Sequence, residues 1–230
     1  MMHTPPTLML VGVHHDDNEG LAGGLICRHR KAGWRVVSVV MTNGRFSRGT
    51  FSEEHIEVRN RESLEAAKVL DMETVFLGFR EAGFRATPEA CDALVEQILR
   101  YRPKVIVTHP PRDYHFDHMS TSQCVLEATH LCPLAGVADL PLPRLYYCDA
   151  VHMPFEPDVY VDISDFVETK SRAQACHASQ FPKEGAGAPT IIDLALAKAR
   201  CRGIESGVRH AEAFRFVPKL AQARMAELLE

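Results

Sequence analysis

Short apolar, β-branched runs recur along this chain, each followed by a polar segment and then by a stretch of helical character. That rhythm restricts the fold more than any other feature. Trp34 to Met41 (WRVVSVVM) shows no polar–apolar alternation, so a strand made from it has no side to offer water and is covered on both faces. Leu8 to Val13, Thr74 to Phe79 and Lys104 to Thr108 (KVIVT) read as further strands. Between them lie helical stretches: Leu21 to Ala32 with Gly33 as its C-cap, Glu53 to Leu70, and Pro88 to Tyr101 with Thr87 as N-cap and Pro in the first turn. A fourth runs from Ser120 to Leu131. Strand and helix in strict alternation predict parallel βαβ units and an α/β fold. Beyond Pro133 the pattern loosens into strands at Arg144 to Cys148 and Val159 to Ile163. Helices follow at Asp165 to Ser179, Thr190 to Ser206 and Pro218 to Leu229. No repeat or low-complexity linker interrupts the chain, and a single domain over residues 1–230 is expected.

In an open parallel sheet, ligands bind beyond the carboxyl ends of the strands. The segments HHDDNEG, TNGRFSRG, GFREAGF and HPPRDYHFDH follow the first four strands in turn, so all four emerge at one edge. Chemistry is therefore expected there, and the histidines and carboxylates of the first and fourth segments are its natural carriers.

Composition narrows the partners. The formal charge of -4 lacks the basic excess of a nucleic-acid binder. No apolar run approaches the ~20 residues that span a bilayer, and the start has no basic region of the signal-peptide kind. The seven cysteines are scattered, odd in number and without a CxxC pair, which predicts buried thiols in a reducing, cytoplasmic setting rather than a disulfide framework.

A catalytic zinc needs about three nitrogen or oxygen ligands and one open position. His14-x-x-Asp17 offers two ligands from one turn, and the HPPRDYHFDH stretch after the fourth strand offers a third. Imidazole with carboxylate suits Zn²⁺, with Fe²⁺, Mn²⁺ and Co²⁺ compatible by ligand type. Asp16 and Asp17 are adjacent and need not both bind, which leaves one carboxylate to serve as a general base. A metal-dependent hydrolase is the reading these residues support. A metallophosphoesterase would need more carboxylates to hold two ions, and only one good three-ligand set is visible. A nucleotide-binding module would need a G-x-G-x-x-G or P-loop, and neither occurs. A non-catalytic sugar-binding protein on the same fold would be favoured by loss of Asp16 or His115, and both are present.

These motifs resemble those of the LmbE-like, or PIG-L, zinc deacetylases. The first, H-[PA]-D-D-x-E with a GG pair after it, is matched by His14 to Glu19 and Gly23-Gly24. The second, P-x-D-x-H-x-D-H, is matched by Pro111 to His118. Arg59 to Glu62 then fits R-x-x-E, followed by Leu77-Gly78. Lys170, Ala173, His177, Ser179 and Gln180 fit K-x-x-A-x-x-x-H-x-S-Q, and Gly207 to Phe214 fits G-x-x-Y-A-E-A-F. The chain departs from the pattern at His15, an extra imidazole beside His14 where the family has a small residue or Pro, and at His210 in place of Tyr.

The resemblance implies a Rossmann-like three-layer sandwich with a mostly parallel central sheet. It implies His14, Asp17 and His118 as metal ligands, Asp16 as general base and His115 as the acid or electrophile at the oxyanion. Asp117 would orient a histidine, while Arg59, Glu81 and His177 would contact substrate. The implied reaction is removal of an acetyl group from an N-acetylglucosamine-type sugar or conjugate, such as an N-acetylglucosaminyl-malate. Family members of this kind assemble as homo-oligomers, hexamers included. The remaining histidines His109, His130 and His152 are expected to be structural or exposed.

Overall fold

The computed structural model describes residues 5–47, 49–135, 142–150, 153–181 and 189–218. In chain order it runs β1 (Thr7–Gly12), α1 (Asp17–Lys31), β2 (Arg35–Thr42), β3 (Phe46–Ser47), β4 (Thr50–Phe51), α2 (Glu53–Leu70), β5 (Glu73–Phe79), α3 (Pro88–Tyr101), β6 (Val105–Thr108), α4 (Phe116–Leu131), β7 (Arg144–Cys148), β8 (Val159–Asp162), α5 (Val167–Ala175), α6 (Ile191–Ser206) and β9 (Ala211–Val217). Seven strands form one sheet in the order β5-β2-β1-β6-β7-β9-β8. The pairs β1–β2, β2–β5, β1–β6 and β6–β7 are parallel, and β9 runs antiparallel to both its neighbours.

Consecutive side chains of a strand point to opposite faces, and the core divides accordingly. Met9 and Val11 of β1 pack with Cys91, Leu94, Ile98, Cys124 and Val125 of α3 and α4. Leu8 and Leu10 pack on the other face with Leu25, Ile26, Ala66, Leu70 and Ala173 of α1, α2 and α5. Helices therefore cover both sides of a mostly parallel sheet, which is why β1 and β2 read as unbroken apolar runs.

The chain proceeds outward from β1 to β2 and β5, then returns to pair β6 on the other side of β1. The reversal of strand order lies between β1 and β6, where open α/β sheets bind their ligands.

Two boundaries differ from expectation in a way that matters. α4 begins at Phe116 rather than near Ser120, because His115 serves as its N-cap by accepting a hydrogen bond from Asp117 N–H at 3.2 Å. α1 begins at Asp17, ahead of the apolar stretch that marks it in sequence. The stretch Asp165 to Ser179 divides into α5 and a short 3-10 turn, Ala178–Gln180. The β3–β4 hairpin and β9 have no counterpart in the sequence reading, and the helix expected at Pro218 to Leu229 lies outside the described residues but for Pro218.

The Gly23-Gly24 pair serves close packing. A Cβ on Gly24 would stand 2.3 Å from Ile163 Cγ2, and one on Gly23 would stand 2.9 Å from Lys170 Cγ. Gly24→Ala should therefore cost about 1–3 kcal/mol through overpacking. Gly20→Ala, whose Cβ would meet only Gln174 Nε2 at 3.6 Å, should be neutral or slightly stabilising. Thermal unfolding of the two variants beside wild type checks the contrast.

Candidate metal centre

The β1–α1 and β6–α4 connections meet at the strand-order reversal. The N-termini of α1 and α4 both end there, so two positive helix ends face a common point. The turn after β1 is tied by His14 N–H, which donates to Asp17 Oδ2 at 2.6 Å. His14 Nδ1 lies 3.5 Å from Asp17 Oδ2, and His118 Nε2 lies 3.5 Å from Asp17 Oδ1. The ligand atoms of His14, Asp17 and His118 all fall within 4.8 Å of one another. Two further groups satisfy the same distance, His14 with His115 and Asp117, and His109 with Asp113 and His118. Each shares a histidine with the first, so the three describe one centre.

His118 is braced from behind. Its Nδ1 lies 3.1 Å from Asp113 Oδ1, the arrangement in which a carboxylate fixes the tautomer and direction of a metal-binding imidazole. Asp113 also accepts from His115 N–H at 3.1 Å. His109, expected to be structural or exposed, is buried with its Nε2 3.1 Å from Asp17 Oδ2, and its ring stacks on His118 at 4.0 Å between centroids. Asp113 and His109 are the residues sequence reasoning left without a role. The signal for both was position, since each lies in the polar segment leaving β6.

Asp16 occupies the N-cap position of α1 but makes no side-chain cap bond. Its Oδ1 instead accepts from Arg59 Nη2 at 3.0 Å. The guanidinium, buried on α2, also donates to Glu81 Oε1 at 2.7 Å and to Phe46 O at 3.0 Å. Glu81 Oε2 accepts from Phe46 N–H at 2.7 Å, which joins the β3–β4 hairpin to the network. Arg59 and Glu81 both line the cavity.

Three further residues near the centre are held by contacts of their own. Asp117 spends its carboxylate on the loop after β5, accepting from Ala82, Gly83 and Phe84 N–H at 2.9, 2.9 and 3.0 Å. Its contact with His14 Nε2 is longer, at 3.8 Å. His177 does not line the cavity: it is fully buried, 3.7 Å from Glu19 Oε1, because the 3-10 turn after α5 packs it behind α1. His15 turns away from the ligand set. Its Nε2 lies 2.7 Å from Asn60 Oδ1, and its ring stacks on Phe76.

Charge follows from this packing. Burial disfavours charge on His14, but the Asp17, Asp117 and Asp16 carboxylates together outweigh it and hold the imidazole up at about 10. His118 is likewise penalised by burial and raised to about 9 by Asp17 and Asp113. Burial and the Arg59 charge push His15 down to about 4, so it stays neutral. Burial opposes ionisation of Asp16, as does Asp17, and Arg59 together with His177 and His14 overcomes them, leaving the carboxyl below its usual range. For His115, burial and the neighbouring His14 and His118 lower the value. A neutral His115 that accepts from Asp117 N–H at Nδ1 keeps its proton on Nε2.

The donor set fits a divalent cation. The carboxylates of Asp17, Asp113 and Asp117 stand against the His14 and His118 imidazoles and hold both rings' values up, the charge balance of a site whose oxygen and nitrogen donors suit a cation. A cavity of about 300 Å³ opens on His14, Asp16, Asp17, His115 and His118.

Comparison with known proteins finds relatives over most of the chain. Diacetylchitobiose deacetylase of Thermococcus kodakarensis is 28% identical over 226 residues, covering 92% of this chain and 83% of the relative. Mycothiol S-conjugate amidase of Streptomyces coelicolor is 26% identical over 245 residues, covering 77% and 83%. The solved N,N'-diacetylchitobiose deacetylase of Pyrococcus horikoshii superposes with a TM-score of 0.80 at 23% identity, covering 96% of this chain and 88% of that one. Residues 9–129, which carry both metal motifs, match the family described as GlcNAc-PI de-N-acetylase, and the chain belongs to this PIG-L family.

Proposed function

We propose that the chain is a divalent-cation-dependent amide hydrolase that removes the acetyl group from an N-acetylglucosamine-type sugar or sugar conjugate. One observation carries this reading: Asp16, ionised and held by Arg59, stands beside the His14–Asp17–His118 donor set at the floor of an open cavity. A sugar-amide substrate is supported by the two relatives, which are named for deacetylase and amidase activities. It is supported as well by the rim, where Phe46, Tyr114 and Phe116 expose 37%, 52% and 72% of their surface, faces on which a sugar ring can stack.

In this reading His14, Asp17 and His118 hold the cation, zinc by ligand preference, with Asp113 positioning His118. The bound cation supplies Lewis acidity to the carbonyl and lowers the pKa of the attacking water. Asp16 accepts a proton from that water as its oxygen bonds to the acetyl carbon. His115 directs its Nε2–H to the carbonyl oxygen as negative charge develops there. Asp16 then returns the proton to the amide nitrogen while the carbon–nitrogen bond breaks, giving acetate and a free amine. Arg59 keeps Asp16 aimed and charged, and Glu81 meets substrate hydroxyls at the mouth. The overlap of the three candidate ligand groups favours one cation over the two of a phosphoesterase.

Zinc-loaded protein should release acetate from an N-acetylglucosamine conjugate, and Asp16→Asn should keep the cation while losing about 10²–10⁴ in kcat. Wild-type turnover by Asp16→Asn would refute the assignment. Asp113→Asn should weaken zinc about 10–100-fold in competition with a chelator, with the fold unchanged.

Cation binding also has a definite pH sign. In the metal-free protein His14 and His118 hold protons up to about 10 and about 9, and a cation binds only the neutral rings. Zinc uptake at pH 7 should release about two protons per chain, and affinity should climb with pH until those values are passed. An indicator dye in weak buffer reads the release; uptake with no protons set free would contradict it.

A further inference from the structure

The cavity has two unlike sides. At its mouth it meets Phe46, Glu81, Tyr114 and His115, where charged groups and aromatic faces mix. In the other direction it passes beneath α6, and its wall there includes Leu21, Ile191, Leu194, Ala195, Ala199 and Ala211. The four α6 residues are spaced i, i+3, i+4 and i+8, so one helical face turns inward. Leu194 and Ala195 are only half-buried, as lining residues of an open space would be.

The charged groups on this side are engaged with one another. Asp149 lies 2.9 Å from Lys198 Nζ and 2.7 Å from Arg202 Nε. Glu212 accepts from Lys170 Nζ at 2.7 Å and from Gly24 and Leu25 N–H at 2.8 and 2.7 Å. Gln174 Oε1 is the ready acceptor beside these paired ions, so a sugar hydroxyl entering this arm would leave water for few open partners, whereas an alkyl chain would leave water for apolar wall. An amide carries its two substituents on opposite sides of the reacting bond. With the sugar at the polar mouth, the acyl group points under α6, toward the wall formed by Leu21, Leu194, Ala195 and Ala199 of a cavity of about 300 Å³ in all.

We propose that the arm beneath α6 is an acyl subsite that admits straight aliphatic chains longer than acetyl. The protein is then a deacylase of N-alkanoyl amino sugars rather than a strict deacetylase. The step is unchanged: water oxygen bonds to the acyl carbon, the carbon–nitrogen bond breaks, the amine takes the proton, and an alkanoate leaves. This inference rests on the hydrolase reading above, and the experiment separates the two.

Zinc-loaded full-length protein is assayed on N-acetyl-, N-butanoyl- and N-hexanoylglucosamine, and hexanoate and acetate are compared as ligands of the same protein. Each buried methylene favours binding about fourfold. N-hexanoylglucosamine should match or exceed the acetyl compound in kcat/KM, and hexanoate should bind about tenfold more tightly than acetate or better. Ala195→Phe, which fills the arm, should cut the hexanoyl value about tenfold and leave the acetyl value within about twofold. Hydrolysis of the acetyl compound alone, with hexanoate bound no better than acetate, overturns the acyl subsite and leaves the deacetylase. Cleavage of none of the three, with hexanoate preferred and that preference lost in Ala195→Phe, overturns the hydrolase and leaves the subsite.

Discussion

The site depends on one buried guanidinium. Arg59 reaches from α2 to Asp16, to Glu81 and to the backbone of Phe46, so it joins the turn after β1, the loop after β5 and the β3–β4 hairpin. Ionised groups are costly to bury, and the cost is offset only where partners are close and well directed. Both carboxylates meet that condition at 2.7 and 3.0 Å. Removing Arg59 would take from Asp16 and Glu81 the one permanent charge that both touch, and the Asp16 carboxyl would rise from its lowered value. The same contact thus maintains the local fold and the charge that a general base needs.

Around that contact the sheet supplies direction. β1 and β6 are neighbours whose following helices, α1 and α4, cover opposite faces, so the connections splay apart and leave a crevice. His14 to Asp17 descend from one wall and His109 to His118 from the other. Asp17 stands between them, within 3.5 Å of His14, His109 and His118. Those imidazoles hold the Asp17 carboxyl well below the usual range against the penalty of burial. The aspartate is the hinge of the donor set, because its two oxygens address both walls.

Elements with chemical boundaries were legible in the sequence. α2 and α3 begin and end where expected, because Ser52 and Thr87 accept N-cap bonds and Asp71 and Arg102 close the helices in the left-handed conformation. The parallel strands were legible from their unbroken apolar runs. β9 was not, since AEAFRFV includes a buried glutamate whose partners, Lys170 and the amides of Gly24 and Leu25, lie far away in sequence. The two metal motifs were legible as clusters, but the loads on their members were not. Asp117 is occupied by three loop amides, and His177 is shut behind α1. His109 reaches Asp17 across 92 residues. Each depends on contacts between segments that local pattern does not relate.

Glu212 shows how such a distant contact shapes the site. α1 is broken at Ala22, whose φ and ψ of -141° and 21° are not helical. Past the break, Gly24 and Leu25 N–H bond to the Glu212 carboxylate in place of carbonyls one turn back. The carboxylate acts as an N-cap for the second half of the helix, and Lys170 balances its charge. Because the halves are not locked by continuous helical bonds, the first turn, which carries Asp17, can take its direction from β1. The second half takes its direction from the sheet and α5. A continuous helix would impose one axis on both tasks. The glycine pair, the lysine of α5 and the glutamate of β9 therefore read as one device. They are three motifs far apart in the chain, joined because the break in α1 needs close backbone approach, an acceptor and a counter-charge at a single place.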